Sequence, residues 1–107
     1  MKTRHFVLVV LTLPLALTAS AQENPRVAYQ NELLARALSP QDKKLCDERV
    51  GERNEASSTL YDQCHVTRLF VSDLQLKKPV AGAPPMLKGQ FLNKSEIALV
   101  ADAIKPR

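Results

Sequence analysis

Cys46 and Cys64 are the only cysteines in the chain, and eighteen positions separate them. They lie within a stretch, Leu45 to Leu76, whose apolar residues recur at helical spacing. In one unbroken helix, eighteen residues make about five turns, which puts both thiols on one face but roughly 27 Å apart. A disulfide needs its two Cα atoms within about 7 Å. A bond between them therefore requires the helix to break and double back. The intervening residues supply the break: Gly51 weakens a helix, Asn54 suits a left-handed cap, and Ser57, Ser58 and Thr59 are N-cap residues. Thr59 and Asp62 have capping-box spacing, with Asp in place of Glu. An αα-hairpin turning near residues 54–58 is expected, stapled by a Cys46–Cys64 bridge. Closing a loop of this size is worth about 3 kcal/mol in the chain-entropy model.

The amino terminus indicates the compartment in which such a bond forms. Lys2 and Arg4 precede an apolar run, Phe6 to Leu17, which is interrupted only by Thr12 and Pro14 and followed by Ala19-Ser20-Ala21. That layout is a secretory signal with cleavage between Ala21 and Gln22, and its apolar run is too short to span a bilayer of about 30 Å. The expected location is the periplasm, an oxidising space where paired cysteines bond. The full chain carries a formal charge of +4. Without Lys2 and Arg4, thirteen basic residues face eleven acidic ones, so the processed chain is only +2. Residues 22–107 then form a single small domain with a modest interior.

Within it, Asn24-Pro25 reads as an N-cap followed by proline at the first helical position, opening a helix to about Leu38. Ser39-Pro40-Gln41-Asp42 repeats the signal for a second helix to about Arg53, charge-dense and apolar only at Leu45, Cys46 and Val50. A third, Thr59 to Leu76, carries the stripe Leu60, Cys64, Thr67, Val71 and Leu74, while Leu69 and Leu76 point elsewhere and leave a second face to be covered. Residues 22–76 thus form the helical core. Residues 77–92 are a basic, proline-rich connector with no acidic side chain, expected to be extended or turn-rich, flexible and exposed. Asn93 to Glu96 has capping-box spacing and opens a short final helix within 93–107, with Ile97, Val100, Ala101 and Ile104 on one face. No strand or repeat is apparent. The fold class is all-α, a bundle of about four helices.

Cys64-His65 is the sharpest chemical signal. Covalent c-type haem attachment uses Cys-x-x-Cys-His, and here the first position is Tyr61. The proline-rich segment bearing Met86, together with the helix after it, loosely resembles the end of a class I cytochrome c. The resemblance implies an alternative reading, a periplasmic haem- or metal-binding protein using Cys64, His65 and Met86. Against it stands the simpler role of a disulfide cysteine beside a surface histidine, and no paired zinc-type spacing occurs. Adjacent residues on a helix diverge by about 100°, so Cys64 and His65 do not form a nucleophile–base pair. The reading reached is therefore non-enzymatic, without cofactor or metal.

Charge divides unevenly along the chain: residues 22–65 are net −2 and residues 66–107 net +4. The leading expectation is an exported protein that binds another envelope protein, such as an inhibitor, an immunity or exclusion factor, or an accessory subunit of a secretion or conjugation apparatus. Its expected contact comprises Leu69, Leu76, Lys77, Lys78 and Lys88. A membrane-active toxic peptide, with peripheral membrane contact through the basic half, is a second alternative. Nucleic acid is not an expected partner, because no aromatic residues alternate with the basic ones.

Overall fold

The computed structural model describes residues 24–105; the expected signal and its Ala21–Gln22 cleavage point lie outside them. Four helices, α1 (Pro25–Ala35), α2 (Pro40–Val50), α3 (Ser58–Gln75) and α4 (Lys94–Ala103), are joined by short turns and a 3₁₀ turn at Gly89–Phe91. The all-α bundle is as expected, and α3 is its axis.

Local chemistry sets the helix starts. Asn24 Oδ1 accepts from the Arg26 N–H (2.8 Å) with Pro25 at the first helical position, and Ser39 Oγ accepts from the Asp42 N–H (3.1 Å) ahead of Pro40. α1 stops at Ala35, three residues short of the expected end. Arg36 turns extended, and the carbonyls of Leu33 and Arg36 both receive His65 Nε2–H (3.0 and 2.7 Å) from α3. A side chain from another helix thereby satisfies two carbonyls that a further turn would have used.

α2 ends at Val50 because Gly51 sits at φ +96°, a conformation that glycine adopts without penalty. Asn54 contributes differently from its expected left-handed cap. Its Oδ1 accepts from the Ala56 and Ser57 N–H groups, while Ser57 Oγ accepts from the Asn54 N–H and donates to Glu52 O. Ser57 spends its hydroxyl on this turn and not on the helix it precedes. The Thr59–Asp62 capping box is likewise replaced: α3 begins at Ser58, and Asp62 pairs with Arg53 instead. The hairpin closes as expected, with Cys46 and Cys64 bonded at a Cα separation of 5.8 Å.

Half of α3 is buried, because α1, α2, the 3₁₀ turn and α4 surround it. Tyr29, Leu33, Val66, Leu69, Phe70, Val71 and Val100 form the main core, where Tyr29 meets Phe70 edge-on with ring centroids 6.2 Å apart. A second cluster, Cys46, Tyr61, Cys64 and Phe91, encloses the disulfide.

The connector is fastened rather than loose. Arg26 Nε donates to Ala83 O (2.6 Å), the Met86 N–H to Gln30 Oε1 (2.7 Å) and the Lys88 N–H to Thr67 Oγ1 (3.0 Å). Pro84 is fully buried, and Val80, Met86 and Leu87 pack on the core. Helix α4 opens on the complete Asn93–Glu96 capping box.

Candidate functional site

Two charged residues lie inside the supposedly apolar helix, and together they orient every element around α3. Arg68 forms a fork to Glu96 (2.7 Å through each terminal nitrogen), donates through Nε to Asp42 (2.9 Å), and donates to Phe91 O (2.8 Å). One guanidinium thus ties α2, the 3₁₀ turn and α4 to α3. Glu96 serves twice, since the same carboxylate closes the capping box on the Asn93 N–H (2.9 Å). Asp73 makes the corresponding tie to α1. It accepts both terminal nitrogens of Arg36 (3.0 and 2.8 Å) and the Tyr29 hydroxyl (2.8 Å).

These pairings shift the acidities in consistent directions. Arg36, followed by the Tyr29 hydroxyl, holds the Asp73 carboxyl below the usual carboxylate range, although burial opposes it. Arg68 does the same for Glu96, aided by the Asn93 N–H. Burial, then Asp73, pushes the Tyr29 hydroxyl well above its ordinary value. Among the described residues no buried side-chain nitrogen or oxygen lacks a partner.

The expected contact residues separate. Leu69 is 6% exposed and belongs to the main core, so it offers nothing to a partner; the face assigned to it is covered by the molecule itself. Leu76, by contrast, is 63% exposed. It caps α3, and Lys77 follows at φ +58°, the only non-glycine residue with positive φ among those described. The Lys77 N–H returns to Leu74 O (3.1 Å) and the Lys78 N–H to Asp73 O (2.9 Å), which is a Schellman ending with lysine where glycine is favoured. Leu76, Lys77 and Lys78 therefore form one exposed, geometrically fixed knuckle. Lys88 is not part of it. Its backbone is bonded to Thr67, which lies nine residues before Leu76, about 13 Å back along the α3 axis and on the opposite side.

A surface cleft of about 750 Å³ opens between the α1–α2 link, α2 and α3; its lining includes Leu38, Lys43, Asp47, Arg53, Tyr61 and His65. No sequence motif marks it. Most of its charges are matched, with Asp47 accepting from both the Tyr61 hydroxyl and Lys43, and Arg53 paired to Asp62, while the Glu52 carboxylate is exposed on its rim. Those two donors, Tyr61 first, hold the Asp47 carboxyl low. Lys43, Asp47, Tyr61, Arg53 and His65 are thus already engaged by protein groups.

The alternative ligand set is also engaged elsewhere. Cys64 sulfur is bonded to Cys46. His65 Nε2 must carry its proton, since both of its partners are carbonyls. Met86 packs against the main core. Among the described residues no three His, Cys, Asp or Glu side chains gather at metal-binding separation. No helix among them is long and apolar enough to cross a membrane. The chain matches no family model, no curated protein and no solved structure.

Proposed function

We propose that this protein is a small exported, non-enzymatic binding module, and that its Leu76–Lys77–Lys78 knuckle docks on another envelope protein. The observation that carries the reading is the conformation of Lys77. A non-glycine residue in the left-handed region costs about 1 kcal/mol, and glycine at that position would remove the cost. A lysine kept there, beside the most exposed large apolar side chain in the structure, is explained by a side chain needed outside the fold. An apolar residue flanked by two cations suits a partner surface with an apolar pocket and an acidic rim. The oxidised cysteine pair supports an exported location, and the short basic segment and small-residue cleavage site of the Lys2–Ala21 layout support the periplasm.

The test is affinity capture from envelope extract by the processed, disulfide-intact protein. Leu76→Asn and Lys77→Glu are expected to abolish capture while leaving the helical circular dichroism unchanged. Lys88→Glu is expected to leave capture intact. A captured set that is identical for wild type and Leu76→Asn would remove the proposal.

A further inference from the structure

Of the face that its sequence advertises, the final helix buries only the Val100 edge. Glu96 and Val100 are buried against α3, whereas Ile97 (49% exposed), Ala101 and Ile104 (46%) face solvent. Ile97 and Ile104 are seven residues apart, so they lie within about 20° of each other around the helix, and Ala101 sits between them. Lys94, the first residue of α4 and offset by about 60° from the centre of this stripe, and Lys105, two residues past the end of the helix, are both exposed at its two ends. Asp102, the nearest exposed acid on the helix, is about 130° away. The cause of this rotation is the Arg68–Glu96 fork, which turns the Glu96 side inward.

The stripe does not stand alone. Arg26, Gly82, Ala83, Ala103, Ile104 and Lys105 line one shallow groove, which sets the start of α1 against the end of α4. Val27, 39% exposed, follows Arg26 in the same turn.

From this arrangement we infer that the α4 stripe is a peripheral docking face for an anionic phospholipid surface. A short convex stripe of two isoleucines and an alanine matches the depth of a headgroup boundary, and lysines at its ends reach anionic headgroups while their stems lie along the apolar surface. The complementarity is one-sided: Lys94, Lys105 and Arg26 are cationic, and the acids on α4 point inward or away. The site is separate from the knuckle, since α4 and the end of α3 are different elements.

Vesicle sedimentation tests it, using the processed, disulfide-intact protein with vesicles of equimolar phosphatidylcholine and phosphatidylglycerol, and pure phosphatidylcholine vesicles as reference. The expected result is binding to the anionic vesicles alone, weakened at high salt because exposed attraction is screened. Ile97→Asn with Ile104→Asn is expected to lower the partition coefficient on the order of tenfold, and Lys94→Gln with Lys105→Gln by a similar factor. Leu76→Asn leaves it unchanged, which separates this site from the protein-binding knuckle. The second pair keeps the test intact if the first disturbs folding, since both lysines are fully on the surface. Absence of sedimentation, equal binding to neutral vesicles, or full binding by the folded Lys94→Gln, Lys105→Gln variant overturns the inference. Loss of protein capture by that variant, without any vesicle binding, would assign the stripe to an acidic protein and overturn it equally.

Discussion

Replacing Arg68 by Met should be among the most damaging single changes in this molecule, and the damage should depend on pH in a particular direction. Methionine keeps an unbranched stem to about the Nε position but removes the rest of the guanidinium and with it four hydrogen bonds, two to Glu96 and one each to Asp42 and Phe91 O. Two carboxylates, with side chains 10% and 18% exposed, then share a site without a cation. Removing one partner of a buried ion pair typically costs about 3–5 kcal/mol. A domain of this size has a total stability of about 4–12 kcal/mol, so a large share would disappear, with a fall in Tm on the order of 20 °C. In the variant, Glu96 loses the partner that does most to hold it low, leaving only the Asn93 N–H and Arg49 against burial, so its carboxyl is expected to titrate higher than in the wild type. Its penalty is full at neutral pH and fades as acid protonates it. The wild type behaves in the opposite way, because its Glu96 is held low. The stability gap between the two should therefore be widest at pH 7 and narrow below about pH 4.5. Adding Glu96→Gln to Arg68→Met removes one unpaired charge while retaining a capping-box side chain, so it should recover part of the loss. Urea unfolding followed by circular dichroism at several pH values measures all three. A gap under about 1 kcal/mol at pH 7, or one that does not change with pH, would mean that this fork does not hold the bundle together.

Other consequences follow from the same contacts. Cys46→Ala with Cys64→Ala should cost about 3 kcal/mol, with amide exchange rising first in α2, whose apolar residues besides Cys46 are only Leu45 and Val50. In the wild type, Asp73 and Glu96 are both depressed, so their contribution is complete above the unfolded carboxylate range and is lost as pH falls through their folded values; urea midpoints should be flat near neutrality and decline below about pH 5. Gly51→Ala should destabilise by about 1 kcal/mol from backbone strain alone, because a Cβ there meets no atom within 4 Å. Lys77→Gly should raise Tm while reducing partner capture, a trade that a purely structural lysine would not make.

What could be read from the linear chain is whatever depends on bonds within a few residues. The pairs Asn24–Pro25, Ser39–Pro40 and Asn93–Glu96 were legible as helix starts, since each satisfies orphan N–H groups within a few residues of itself. Gly51 ends one for an equally local reason. The disulfide was legible too, because helix rise and Cα reach leave the chain only one way to join its thiols.

Tertiary structure decided which faces became interior, because burial depends on what arrives from elsewhere in the chain. Leu69 is covered because the core closes over it, and Arg68 and Asp73 are tolerated within because Asp42, Glu96, Arg36 and Tyr29 come to meet them. His65 proved to be the cap of a helix about thirty positions earlier, a role with no local signature. The same dependence turned Ile97 and Ile104 outward. Their spacing records that they share a face, but the Arg68–Glu96 fork determines that this face meets solvent. A charge in an interior stripe looks like an error until its counter-charge is placed, and only the folded chain places it.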